Sequence, residues 1–428
     1  MWFSRSRPWT AGPFAERIAA NGVVRLAQEE VEFARPGIRL HLPIPCVLKF
    51  NLTQPFEEFV LLVLVEMFHS GDDFGDGAHA SQAMPRSHDA QAAATAGSAT
   101  FALPVKLAFH FACDMSTPSA TLRLGIIGCD TSHATAFTEI LNDAAALGHV
   151  PGAKVVAACK TFSPDIEWSR TRVDGFVAEM RERWGLKFTG SIAELCRGVD
   201  AVLVCSVDGR AHLAQAREVI AAGRPVFVDK PLGGTLRDVL EILHIAEQAR
   251  VPLWTGSAYR WHPTFTELLR TDVGEIRGAL SFGPARLDAH HPDLFFYGIH
   301  ATEALYAVLG EGCECVTRTK TADTDVVTGR WSGGRTGTLI GLRTQSLPNQ
   351  VTVFGSTGYA QQKQQKGGGL DYAPLVAQIV KFLQTTRPPV SHAETLDMYA
   401  FMEAADESTR RGGVPVKVAE VLAMAGRS

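Results

Sequence analysis

Between Leu122 and Thr255, short apolar runs alternate with amphipathic stretches, and no other feature limits the possible folds as sharply. The pattern predicts strands over 122–128, 154–159, 200–205, 225–228 and 251–255. It predicts helices over 133–147, 172–184, 192–197, 211–222 and 236–249. Apolar strands separated by helices describe a parallel sheet buried on both faces, a doubly wound α/β Rossmann architecture. After Gly256 the rhythm changes. Strand-like runs at 274–283, 313–321, 325–331, 335–343 and 350–354 are joined by glycine turns such as Ser332-Gly333-Gly334. They imply an α+β domain with a mainly antiparallel sheet and one embedded helix, 298–309. Helices over 371–384 and 394–411 close the chain and are expected to pack back on the first domain.

The expected organisation of the 428 residues is therefore 115–256 for the dinucleotide-binding domain and 257–428 for a substrate and oligomerisation domain. Residues 1–114 show no sustained period beyond a candidate helix at 14–33, and 78–100 has a disordered composition. They read either as an extension or as sequence upstream of a true start at Met115. A net charge of −4, from 41 basic and 45 acidic side chains, argues against nucleic-acid binding. The apolar run at 59–68 is about half a membrane span. The eight cysteines show no C-x-x-C spacing. Cys159 and Cys205 sit in apolar runs, as small core residues do. The expectation is a cytoplasmic protein with neither membrane nor nucleic-acid partners.

Chemistry concentrates where strands end. The first strand runs into Gly128-Cys129-Asp130-Thr131-Ser132-His133, the strand–turn–helix setting in which helix amides face a pyrophosphate. Against the usual G-x-G-x-x-G fingerprint, Asp130 replaces the second glycine and His133 the last small residue. The segment is thus either a phosphate cradle or a helix start capped by Asp130 or Ser132. Lys160 ends the next strand and is either a partner for a ribose 2′-phosphate or an ordinary exposed lysine; Asp165 is the acidic alternative nearby.

The stretch Ser206-Val207-Asp208-Gly209-Arg210-Ala211-His212, the turn Asp229-Lys230-Pro231 and Tyr297-Gly298-Ile299-His300 together resemble the Gfo/Idh/MocA oxidoreductases, the glucose–fructose oxidoreductase and inositol dehydrogenase family. The resemblance extends over 122–423, including Val353-Phe354-Gly355 and Thr409-Arg410-Arg411-Gly412. It implies NAD or NADP as cofactor, a sugar, cyclitol or related polyol as substrate, and a homo-oligomer formed through the C-terminal sheet. By the same resemblance Lys230 lies beside the nicotinamide and the reacting hydroxyl, with Asp229 replacing the family glutamate. Pro231 matches the motif proline, and His212 the histidine that follows Ser206 and Asp208. His300 is the implied acid/base. The family aspartate four residues before it is replaced by Phe296, so Asp293, His290 and His291 are candidates for the missing charge, Asp293 as a catalytic residue. Adjacent histidines do not readily share one ion, and no metal is expected. Two other functions stay open: a nucleotide- or sugar-binding regulatory protein that has lost hydride transfer, for which Asp130 and Phe296 speak, and an NAD-assisted lyase or glycosidase.

Overall fold

A computed structural model describes residues 121–343, 347–364 and 371–426, with a few short strand segments between 23 and 101. The chain forms two compact units, Met1–Thr117 and Pro118–Ser428. In the first, Val23–Leu26 is a strand paired antiparallel with Cys46–Lys49, where the sequence suggests a helix. Asn21-Gly22 breaks the helical run just before it, and Val23-Val24 favours extended backbone. The other expectations for 1–114, including the start at Met115, lie outside the described residues.

In the second unit, β1 (Leu122–Ile127), β2 (Ala153–Cys159), β3 (Lys187–Thr189), β4 (Ala201–Val204), β5 (Val226–Asp229) and β6 (Leu253–Gly256) form one parallel sheet. Its order is β6-β5-β4-β1-β2-β3. The chain reverses direction of winding between β1 and β4, and the crevice outside their carboxyl ends is where such sheets bind ligands. All four residues of β4 are buried, as expected of a central strand covered on both faces.

Local chemistry sets the helix limits. Helix α1 (Ser132–Asn142) starts behind Thr131, whose Oγ1 accepts from the His133 N–H at 3.4 Å. It stops five residues short of the expected Leu147 because the Asn142 side chain pairs with both main-chain groups of Val155, at 2.8 and 2.9 Å. Helix α2 (Glu167–Glu182) begins five residues before the expected Arg172, since its first turn faces Ser169 rather than an apolar side chain inward. The limits of α3 (Ile192–Arg197) and α5 (Leu236–Ala249) agree with the sequence, and Thr235 with Asp238 closes a capping box on α5. Between them, α4 (His212–Ala221) follows a single tight turn from Gly209.

The second sheet contains β7 (Ile276–Pro284), β8 (Cys313–Lys320), β9 (Thr324–Trp331), β10 (Thr336–Leu342), β11 (Gln350–Gly355), β12 (Tyr359–Gln361) and β13 (Val416–Lys417). Its order is β12-β11-β7-β10-β9-β8-β13. Every pair is antiparallel except β7 with β10. That parallel pair arises because two helices carry the chain from β7 across the sheet before the β8–β9–β10 hairpins return to it. These helices, Asp293–Tyr297 and Ile299–Leu309, carry the residues that face the crevice. The closing helices are Ala373–Thr385 and His392–Arg410. Leu375, Val376, Ile379 and Phe382 of the former share a buried cluster with Leu124, Phe137 and Trp254 of the first sheet's layer. Among the described residues no helix is long and apolar enough to cross a membrane.

Candidate functional site

The turn after β1 places Gly128 at φ +85°, and a Cβ there would lie 2.3 Å from the Ser206 nitrogen. Only glycine allows the β1 and β4 turns to approach so closely. Cys129 is fully buried and its thiol, pushed up to about 12 by burial, is inert packing. Asp130 is also fully buried. Its Oδ2 accepts from the Ser169 hydroxyl at 2.6 Å and its Oδ1 from the Val207 N–H at 3.2 Å. Burial pushes its carboxyl above the ordinary range. Neither Asp130 nor Ser132 caps α1, whose cap is Thr131; the Asp130 side chain is turned inward as a latch between α2 and the β4 turn.

Replacing Asp130 with alanine should leave a buried hydroxyl and a buried N–H without acceptors, at roughly 1–3 kcal/mol each. The melting temperature should fall by several degrees, and Asp130→Asn, which keeps an acceptor for Val207, should fall less. Asp130→Gly should destabilise in the same way without tightening dinucleotide binding. A tenfold gain in affinity at an unchanged melting temperature would contradict this assignment.

The segment after β2 is laced to the turn after β4. The Thr161 and Ser206 hydroxyls meet at 3.2 Å, the Ser163 hydroxyl donates to Asp208 at 2.5 Å, and Arg210 forks onto Asp165 at 2.9 Å. Gln215 adds bonds to both Thr161 and Ser206. Because β1 lies between β2 and β4, these links cross over the β1 end. Ser206 and Asp208 are thus engaged with protein groups. Lys160 is paired with Asp174 at 2.6 Å on the surface. Asp165 is likewise taken, by Arg210. His212 is a brace rather than a cofactor contact: its two ring nitrogens face the carbonyls of Pro231 and Ser206, at 2.7 and 2.9 Å, in full burial.

A second group of side chains gathers at the ends of β5 and β6. Asp229 is buried, and its Oδ2 lies 2.5 Å from Nδ1 of His133. Burial opposes its ionisation, but His133 and Lys230 outweigh that and hold the carboxyl below the usual range. Its Oδ1 has no hydrogen-bond partner. The Lys230 ammonium sits 5.6 Å over the ring of Tyr297. His300 is buried with Nδ1 2.8 Å from the Ser257 hydroxyl, and Tyr259 and Tyr297 lie edge-on at 5.0 and 5.3 Å. Burial, with Lys230 and then His133 close by, pushes His300 far below the ordinary histidine range.

Asp293 does not join this group. Its carboxylate is bound by Arg318 at 2.9 Å and Lys320 at 2.5 Å, which leaves it no free charge for His300. His291 accepts from the Gly209 N–H at 3.1 Å and faces the Pro292 carbonyl at 3.1 Å, a bridge between two turns. His290 pairs with Asp288 on the surface. Among the described residues no cluster of His, Cys, Asp and Glu is suited to a metal ion. Phe296 fills the place of the expected aspartate with an aromatic wall shared with His291 and Trp168. Sequence reasoning missed Ser257, Tyr259 and Tyr372. Ser257 alone had a local signal, as the first polar residue beyond a strand end.

The site fits the centre of a nicotinamide dinucleotide: a glycine turn no Cβ could occupy, a helix start at Ser132, and an unpartnered carboxylate oxygen on Asp229 beside Lys230. The outer part of the crevice is bridged by the 161–169 segment.

Residues 122–257 match the family model described as the oxidoreductase family with an NAD-binding Rossmann fold. A relative in Salmonella typhimurium, provisionally named the oxidoreductase YceM, is 30% identical over 173 residues, 40% of this chain and 48% of its own length. An inositol 2-dehydrogenase of Cereibacter sphaeroides is 37% identical over 115 residues, 26% of this chain and 29% of its own length. The chain thus spans about half or less of the length of these curated relatives. Among solved structures, the myo-inositol dehydrogenase of Lactobacillus casei in complex with NAD(H) and myo-inositol shares the fold. Its TM-score is 0.55 at 17% identity, over 69% of this chain and 96% of that one.

Proposed function

We propose, from the chain's membership of the Gfo/Idh/MocA oxidoreductase family, carried by residues 122–257, that it is a dehydrogenase for a secondary alcohol of a sugar, cyclitol or related polyol. The observation that carries this reading is the grouping of Lys230, His300, Asp229 and Tyr297 at the carboxyl edge of β5 and β6. When bound, the nicotinamide supplies the hydride acceptor. Gly128, Ser132 and the main chain of the β1 and β4 turns would hold the dinucleotide, NAD or NADP. Lys230 would hold the reacting hydroxyl by its ammonium. His300, fixed by Ser257 and kept neutral by burial, would offer Nε2 to the substrate. The aromatic rings of Tyr259, Tyr297 and Phe296 would shed water and face the C–H side of a polyol ring.

Two further features support parts of the reading. Cys129, Cys159, Cys196, Cys205, Cys313 and Cys315 are free thiols, in keeping with a reducing cytoplasm. Val326, Phe354 and Tyr359 are exposed on the second sheet, where a second copy would pack. The bridged crevice favours one rival, a protein of this fold that binds no dinucleotide. Titrating the full chain with NADH and NADPH by intrinsic fluorescence separates the two. Saturable quenching, followed by reduction of NAD or NADP with a panel of inositols and aldoses, is the expected result. Absence of quenching at millimolar nucleotide would favour the rival.

A further inference from the structure

Two arginines from different parts of the chain converge on one indole. Trp168 stands in the first turn of α2, and the guanidinium of Arg286, just beyond β7, lies 3.8 Å from its ring centre. The guanidinium of Arg172, one helical turn further on, lies 5.0 Å from the same ring. Trp168 in turn meets Tyr297 edge-on at 6.1 Å and Phe296 at 6.4 Å. Tyr297 is the ring over which the Lys230 ammonium sits, at 5.6 Å. The three cations therefore border one aromatic wall, with Lys230 at one end and the arginine pair at the other.

All three are half-buried. Like charges brought together repel, and burial removes the water that would screen them. At Arg172 burial and the neighbouring Arg286 both work against the charge, while Asp130 and Tyr297 work the other way. The hydrogen bonds of Arg172 go to main-chain carbonyls, Nε to Trp168 at 2.7 Å and Nη2 to Asp130 at 3.3 Å, and neither brings a full negative charge. The Asp130 carboxyl itself is turned to Ser169 and Val207. Phe296 stands where the sequence pattern calls for an aspartate, so the wall has no carboxylate of its own at that place. A guanidinium packed on an indole is supported by the ring and keeps an N–H edge for two parallel bonds to a carboxylate or phosphate. We propose that Arg172 and Arg286, held on Trp168, bind an anionic group of the substrate, a carboxylate or a phosphate ester, while its reacting hydroxyl meets Lys230. The proposal rests on the dehydrogenase reading above and narrows its substrates to sugar acids or sugar phosphates. The diphosphate of the dinucleotide offers the same chemistry, since Arg172 also touches the glycine turn at Asp130. The substrate is favoured because Arg286, Phe296 and Tyr297 belong to the second domain, and the ring contacts of Trp168 run to the wall beside Lys230.

The test is calorimetric titration of the full chain, with and without NADH, using glucuronate, glucose 6-phosphate and glucose as probes. At least one of the two acids is expected to bind about tenfold or more tighter than glucose, the contribution of a charge-assisted pair. Arg172→Gln and Arg286→Gln should each remove about that much of the preference, with the loss confined to the acids and the NADH dissociation constant little changed. Should Arg172→Gln fail to fold, Arg286→Gln and Arg172→Lys are read instead. The lysine keeps the charge but not the fork, so the preference should fall part-way. Equal binding of acids and glucose, or binding of none, would overturn the proposal. So would a loss that falls on NADH rather than on the acids, which would give the arginines to the diphosphate. The two levels separate cleanly. Acid binding through the arginines in a chain that binds no NADH removes the dehydrogenase reading and supports the anion site alone. NADH binding with no preference for the acids removes this proposal alone.

Discussion

Replacing Lys230 with alanine is expected to lower turnover about a hundredfold or more on any substrate the protein oxidises, with the fold intact. Removing one charged donor aimed at the reacting oxygen typically costs that much. The ammonium faces the ring of Tyr297 at 5.6 Å and helps to hold the buried Asp229 carboxyl ionised, so its removal leaves Asp229 to rely on His133. Lys230 is half-buried, so the melting temperature should fall by a few degrees at most, about 1 kcal/mol in a domain of this size, while His133 still meets Asp229. Lys230→Arg should rescue little, because a planar fork does not reproduce a point charge at the same distance. Steady-state kinetics with the best alcohol from the panel decides the matter. Near-parental turnover in the alanine variant would remove Lys230 from the chemistry.

The largest stability effect is expected at Arg318. Its side chain is wholly buried and binds Asp293 at 2.9 Å, Asp325 at 2.7 Å and Asp406. In Arg318→Met, Asp325 keeps Arg343 at 2.6 Å and Asp293 keeps Lys320. Asp406 loses the guanidinium that meets it, in a place where burial already pushes its carboxyl up to about 7. Breaking a buried ion cluster on one side typically costs about 3–5 kcal/mol. Denaturant unfolding should show that loss, and a change below about 1 kcal/mol would mean the cluster is idle. Function should suffer too, since Asp293 begins the short helix that leads to Tyr297 and then to His300.

The stretch from Ser206 to Lys230 was legible in the sequence because its signals are local: each strand, turn and helix start carries its own residues. The parallel sheet was legible for the same reason, since buried central strands such as Ala201–Val204 are apolar throughout. What escaped were partnerships across the chain. Nothing near Asp130 announces that Ser169 and Val207 will take its oxygens. Nothing near Asp293 announces Arg318, which arrives from β8. The His133–Asp229 contact needs α1 and β5 to be laid side by side before it exists at all. The parallel pairing of β7 with β10 escaped because strands separated by two helices need not join in the order that hairpins suggest.

The links from Thr161, Ser163 and Asp165 to the turn after β4 have a thermodynamic consequence for any long ligand of the crevice. If a dinucleotide spanning the end of β1 has to part them, only the fraction of molecules already parted is competent to bind. The apparent dissociation constant is the intrinsic one divided by that fraction. If the links together hold the closed form by about 2.7 kcal/mol, roughly one molecule in a hundred is open and affinity is weakened about a hundredfold. The entry rate would then reach a ceiling set by the protein rather than by nucleotide concentration. A ligand short enough to sit beside Lys230 alone would meet no such ceiling, and the order of arrival at the site would follow from these few links within the protein's own chain.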